Sequence, residues 1–169
     1  MRLEDDAIVI RPLTESDAPA VAAAIGEDAD LDRWTRIPFP YTEEQAREYL
    51  ASTEESAFAI LDRASGDPLG GIGARGRDAA IVEIGYWVKA EARGLVVATR
   101  ALSLLTRFAF EELGARVQLR TEPDNVGSQR VAEKAGFTRE GTLRSFMEFK
   151  GRRRDAVMFS LLPDELENQ

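Results

Sequence analysis

Three short stretches of alternating hydrophobicity follow one another near the middle of the chain, then give way to one long stretch of helical period. The alternating segments are 57–61, 69–74 and 81–88, and Ser65-Gly66-Asp67-Pro68 is a turn sequence closing the first. Their close spacing predicts an antiparallel meander. From about Val96 to Leu113, the residues Val97, Ala101, Leu104, Leu105 and Phe108 recur at helical spacing and predict one buried stripe. A short strand at 117–120 follows.

The flanking segments fit the same scheme. Ala7-Ile8-Val9-Ile10-Arg11-Pro12 alternates like a first strand and stops at proline. Thr14 is placed to cap a helix whose apolar face is Val21, Ala22 and Ile25. Thr42 and Gln45 have capping-box spacing, and that helix is expected to reach about Ser52. A short helix over 128–135 ends at Gly136, which suits a left-handed cap with Phe137 as its hydrophobic partner. Two last strands, about 138–148 and 155–162, flank a Lys150-Gly151 turn. The expected fold is a single α/β (α+β) domain over residues 1–169, a mixed sheet with helices on its faces.

Composition narrows the chemistry. The 169 residues are 44% hydrophobic, enough for a full core. Cysteine and histidine are both absent. That excludes disulfides, thiolate nucleophiles, Ser-His-Asp triads and His-ligated metal sites, so no metal is expected. Acid–base work falls to Glu, Asp, Tyr, Lys or Ser. A net charge of -8 argues against nucleic-acid binding and suits a cationic substrate. No apolar run has the length of a membrane span, and the charged opening residues lack an apolar signal core, so a cytoplasmic, membrane-free protein is expected. The basic run Lys150-Gly151-Arg152-Arg153-Arg154 reads first as a solvated hairpin tip and second as a contact for an anionic partner.

Two junctions carry the chemistry. Val88-Lys89-Ala90-Glu91-Ala92-Arg93-Gly94-Leu95-Val96-Val97-Ala98-Thr99 runs from a strand end through a turn into a helix. Main-chain N–H groups at a helix N-terminus make an anion site, and Gly94 allows close approach while Arg93 adds charge. An ordinary strand–helix connection accounts for the turn equally well. Glu122-Pro123-Asp124-Asn125-Val126-Gly127-Ser128 likewise follows a strand and opens a helix, with Asn125 placed to cap it.

Together the two junctions resemble the GNAT superfamily of acyl-CoA-dependent N-acetyltransferases, in its ribosomal-protein N-acetyltransferase-like branch. The supporting phrases are Glu83-Ile84-Gly85-Tyr86-Trp87, Ala92-Arg93-Gly94, Ala98-Thr99, and Asn125 and Ser128 with Lys134, Gly136 and Phe137. The resemblance spans Ile10 to Leu161. It implies a mostly antiparallel, twisted sheet with a splayed central strand pair and helices on both faces. It also implies acetyl-CoA as cosubstrate: the backbone of Tyr86, Trp87 and Val88 along the pantetheine, and the turn from Arg93 through Gly94, Leu95, Val96 and Val97 to Ala98 and Thr99 around the diphosphate. Asn125 and Ser128 would approach the pantetheine and thioester, and Lys134 the nucleotide end. A homodimer is common in similar proteins.

The chain departs from the family's turn, Arg/Gln-x-x-Gly-x-Gly/Ala, at one place: Val96 stands where the family has its middle glycine. A β-branched residue tolerates positive φ poorly. Retained helical φ at Val96 would leave its N–H facing the diphosphate, whereas any other conformation would weaken binding. The resemblance implies direct attack of an amine, at a protein N-terminus or on a small molecule, on the acetyl thioester in a ternary complex. Glu83 is the first candidate base, against the alternative of an exposed strand glutamate, and Glu122 is the second. Ser128 is the candidate acid toward the leaving thiolate, or simply a capping residue. The residues Trp34, Pro38, Phe39, Pro40 and Tyr41 and the hairpin from Phe146 to Arg154 are expected to wall the acceptor cleft. A coenzyme A-binding regulatory module with weak or no turnover is the second reading, motivated by Val96.

Overall fold

The structure, a computed structural model, describes residues 1–26, 28–52, 56–78, 81–113 and 116–166. Eight strands form one sheet in the order β1-β2-β3-β4-β5-β6-β8-β7. They are β1 Leu3–Glu4, β2 Ile8–Pro12, β3 Ser56–Asp62, β4 Pro68–Asp78, β5 Ile81–Val88, β6 Arg116–Thr121, β7 Thr138–Phe149 and β8 Arg152–Leu161. The helices are α1 Ala18–Ile25, α2 Ala29–Trp34, α3 Glu43–Ser52, α4 Val97–Leu113, α5 Val126–Lys134 and α6 Pro163–Leu166. Among the described residues no helix is long and apolar enough to cross a membrane.

The expected meander is present: β3, β4 and β5 pair antiparallel in succession. Gly70 and Gly71 make the β4–β5 contact possible, since a Cβ on Gly70 would stand 2.3 Å from the Trp87 carbonyl oxygen and one on Gly71 2.6 Å from Trp87 Nε1. The expected capping box of α3 forms as well. Thr42 N–H donates to Gln45 Oε1 at 2.9 Å, and Gln45 N–H donates back to Thr42 Oγ1 at 3.3 Å. At the end of α5, Gly136 adopts φ +84° and Phe137 N–H donates to the Ala132 carbonyl at 3.0 Å, with Phe137 buried beneath the cap.

Elements with no hydrophobic period of their own escaped the sequence reading. β1 is two residues long amid charges, and α6 is one turn. α2 has six residues and is held by its cap: Asp28 Oδ1 accepts from Asp30 N–H at 3.0 Å and Leu31 N–H at 3.3 Å. β8 begins at Arg152 rather than at about Asp155, because Lys150 and Gly151, both at positive φ, make a two-residue hairpin turn that pairs Arg152 with Phe149 at once.

The sheet separates two apolar layers. One face packs on α4 and α5 through Ile10, Ile60, Ile84, Leu102, Leu105, Val117 and Phe159, all at most 2% exposed. The stripe of α4 is centred on Val97, Ala101, Leu102, Leu105 and Ala109, while Leu104 and Phe108 lie at its margin. The other face carries α1 and α3, which meet through Ala18, Ala22 and Ala46.

At the entry to α1, Asp17 is held on several sides. Arg11 donates to both of its oxygens at 2.8 and 2.7 Å, and Thr14 N–H donates at 2.8 Å. The Arg11 hydrogen bonds are the largest influence; burial opposes them, and the carboxyl falls from 3.8 to about 2. A depressed carboxyl contributes stability that is complete above its unfolded pKa and is lost as pH falls through its folded one. Chemical denaturation of wild type between pH 4 and 2 should therefore lose on the order of 2 kcal/mol through this group. Asp17→Asn should lack that portion of the slope and be less stable at neutral pH.

Candidate functional site

The site begins where a strand ladder stops. Among the described residues, β5 and β6 run parallel and pair only at Ile81–Arg116, Val82–Val117 and Glu83–Gln118. Beyond that, β6 continues to pair with β8 as far as Thr121, while β5 continues with β4 as far as Val88. The two strands thus part after three residues and open a cleft of about 1310 Å³, large enough for a cofactor and an acceptor together. The edge of β5 from Ile84 to Val88 has no ladder partner on that side, which leaves main-chain donors and acceptors facing the opening.

Alternation along β5 divides its side chains between the two faces. Ile84, Tyr86 and Val88 lie toward α4 and α5. Glu83 and Trp87 lie on the opposite face, where the Trp87 indole covers Gly71. Both sets line the cleft.

The turn into α4 closes one end. Gly94 has φ +77° and Val96 φ +64°, so α4 starts at Val97 and not one residue earlier. Val96 occupies the left-handed region that favours glycine, and its side chain escapes into solvent at 49% exposure. The right-handed conformation entertained from sequence is absent. Arg93, Gly94, Val96, Val97, Ala98 and Thr99 line the cleft, whereas Leu95, 65% exposed, turns away from it. Arg93 is committed within the protein: its guanidinium pairs with Asp28 and with Asp30 at 3.0 Å, and its Nε donates to the Val88 carbonyl at 3.1 Å. The donors that a helix start leaves without intrahelical partners are its main-chain N–H groups.

The start of α5 faces β5. Asn125 Oδ1 accepts from Ser128 N–H at 3.1 Å, which is the capping role expected of it. The Ser128 hydroxyl is then free to meet the Tyr86 phenol at 2.9 Å. Burial pushes the Tyr86 phenol up to about 12, with the Ser128 hydrogen bond pulling weakly the other way. Lys134 lines the cleft and so does Arg130, one helical turn earlier. The sequence reading passed over Arg130, although its i, i+4 spacing to Lys134 puts both on one face.

Glu83 points into the cleft. Arg120 Nη2 pairs with it at 2.8 Å, and Gln118 Nε2 donates to it at 3.3 Å. These two partners were also missed; the signal was available, because Gln118 and Arg120 alternate with the core residues Val117 and Leu119 along β6. Glu122 is buried at the end of β6 and pairs with Arg154. Trp34, Pro38 and Tyr41 form one wall, while Phe39 and Pro40 lie outside the lining. Met147 and Phe149 contribute the hairpin wall, and Phe146 lies under the Arg120 guanidinium at 5.4 Å. Of the basic run, Lys150 pairs with Asp32 of α2 and Arg154 with Glu122.

A sheet whose parallel pair opens beside a helix-start turn is the arrangement of the GNAT acetyltransferases, and the chain belongs to that family: the Acetyltransferase (GNAT) domain profile matches residues 7–138. The probable N-acetyltransferase YjcK of Bacillus subtilis is 30% identical over 96% of this chain and 98% of its own. The candidate ribosomal N-acetyltransferase YdaF of the same organism is 39% identical over 52% of this chain and 48% of its own length. Among solved structures, RimL, a ribosomal-protein α-N-acetyltransferase in complex with coenzyme A, shares the fold with a TM-score of 0.87 at 18% identity, over 98% of this chain and 99% of its own. The resemblance to ribosomal-protein N-acetyltransferase-like proteins seen in the sequence has its counterpart in the YdaF match over half the chain, while RimL shows likeness of fold.

A valine held at positive φ stores about 1–3 kcal/mol, against an unfolded-state cost of up to ~1 kcal/mol for introducing glycine. Val96→Gly is accordingly expected to stabilise the protein by about 1 kcal/mol in urea denaturation. An equal or larger loss of stability would show that the Val96 side chain makes a compensating contact.

Proposed function

We propose that the protein transfers an acetyl group from acetyl-CoA to a primary amine, either a protein N-terminal amine or a small-molecule amine, in a cytoplasmic setting. The observation that carries this reading is the edge of β5 from Ile84 to Val88, which has no strand beside it on that side, faces the Asn125–Ser128 helix start and ends at the turn over Arg93–Ala98. An extended pantetheine has amides that match such an edge, as a third strand would. Its diphosphate suits the N–H groups at the start of α4, and Lys134 with Arg130 suits the nucleotide end.

In this reading the amine enters from the face that carries Glu83 and Trp87 and attacks the thioester carbonyl directly. Main-chain N–H near Val88 polarises the carbonyl oxygen. A free amine is required, and reference pKa values are near ~8 for α-amino groups and ~10.4 for lysine. Glu83 takes the proton, directly or through water, and Glu122 is the alternative base. Ser128 gives its proton to the departing sulfur. The second reading, a coenzyme A-binding module with little turnover, draws on the positive φ of Val96.

Acetyl-CoA consumption measured with a panel of peptide and small-molecule amines, beside direct binding of acetyl-CoA, separates the two. Binding with turnover on at least one amine supports the transferase; binding with none favours the module; no binding sinks both. Glu83→Gln should lower turnover by about 10²-fold, the lower end expected for loss of a general base, and alter the shape of the pH–rate profile. A profile unchanged in shape would transfer the role to Glu122.

A further inference from the structure

Tyr86 is a partly buried titratable side chain whose hydroxyl has no part in the reaction as proposed. Its hydroxyl lies 2.9 Å from Ser128 Oγ and 3.3 Å from the Ser128 carbonyl oxygen, so it joins one arm of the open strand pair to the start of α5. We propose that Tyr86 is a positioning residue for Ser128: its phenol donates to Ser128 Oγ and leaves the serine proton to point across the cleft at the sulfur of coenzyme A. This rests on the role given to Ser128 above.

Two proton arrangements fit the pair. In one, Ser128 donates to the phenol and the phenol donates to the Ser128 carbonyl at 3.3 Å, which leaves the serine with no proton for a ligand. In the other, the phenol donates over the shorter 2.9 Å contact and the serine O–H is free. Both use the 2.9 Å contact; the first adds only the long 3.3 Å bond to the carbonyl, whereas the second frees the serine O–H for a ligand, and a hydroxyl oxygen that accepts one hydrogen bond is a stronger donor of its own. Burial keeps the phenol protonated, at about 12, so it remains a donor throughout the range in which an amine acceptor reacts. Ser128 N–H is fixed on Asn125 Oδ1, so the hydroxyl is aimed by Tyr86 on one side and by the cap on the other. When the tetrahedral adduct collapses, the C–S bond breaks and its electron pair stays on sulfur. The Ser128 proton moves to sulfur, Ser128 regains a proton from water, and Tyr86 keeps its own.

The test needs no acceptor. Free coenzyme A and acetyl-CoA are titrated calorimetrically into wild type, Ser128→Ala, Tyr86→Phe and the double variant, across a pH range bracketing the ordinary thiol pKa of ~8.5. A donor aimed at sulfur favours thiolate and lowers the bound thiol's pKa. Affinity for coenzyme A then rises as pH climbs through that lowered value and levels off above the free one. Acetyl-CoA has no thiol proton and controls for every other titration.

The expected result is a rise of about three- to tenfold in the coenzyme A to acetyl-CoA affinity ratio, corresponding to a thiol shift of up to about one unit. Ser128→Ala should abolish the rise, Tyr86→Phe should lose at least half of it, and the double variant should match Ser128→Ala. Any general change in cofactor binding moves both ligands alike and cancels in the ratio. A full rise in Tyr86→Phe overturns the role of Tyr86 and leaves that of Ser128 standing. A flat ratio in wild type overturns both, and absent binding of either ligand removes the proposed function itself.

Discussion

Everything at the site follows from how short the β5–β6 ladder is. Among the described residues three pairs hold the parallel strands together, and each strand is then claimed by its outer neighbour, β5 by β4 and β6 by β8. Main-chain groups that a sheet would satisfy internally are left facing a cavity. A strand edge exposed in this manner is a hazard on a protein surface, because any extended chain can pair with it. Within a cleft walled by α2, α5 and the β7–β8 hairpin, the same edge admits only a ligand slim enough to enter. The core beneath Ile84 and Val88 keeps the edge in place, since both side chains are anchored in the layer under α4.

Charge within the cleft is mostly balanced pair by pair. Glu83 faces Arg120, Glu122 faces Arg154, and Arg93 faces Asp28 and Asp30. A buried charge without a partner is costly, so a cleft that gathers several ionisable groups holds them in pairs. Arg130 and Lys134 stand on α5 on the side assigned to the nucleotide, where a polyanion would complete them.

Most of the architecture was legible in the sequence. The meander, the long helix, the α3 capping box and the Gly136–Phe137 cap each carry a local signal, a hydrophobic period or a turn residue, and each is present. α2 carried no such signal, because six residues with alternating aspartates show no apolar stripe and the helix is held by its Asp28 cap. The direction of Glu83 was undecidable from alternation alone; it depends on which strand lies beside β5, and that is a long-range choice. The same holds for Arg120 and for the meeting of Tyr86 with Ser128, residues 42 apart in sequence. Val96 was legible as a departure, but its conformation was not: the fold imposes the left-handed turn on a residue that resists it.

The aspartates of α2 also have a mechanical meaning. Asp28 at the cap and Asp30 just inside it grip Arg93 of the turn into α4, and Asp32, one turn past the cap, grips Lys150 at the tip of the β7–β8 hairpin. Asp28 and Asp32 stand four residues apart, about 6 Å along the axis. One helical turn is therefore a short crossbar between the two jaws of the cleft. Inserting or deleting one residue between them would rotate one relative to the other by roughly 100° and release one jaw while keeping the other.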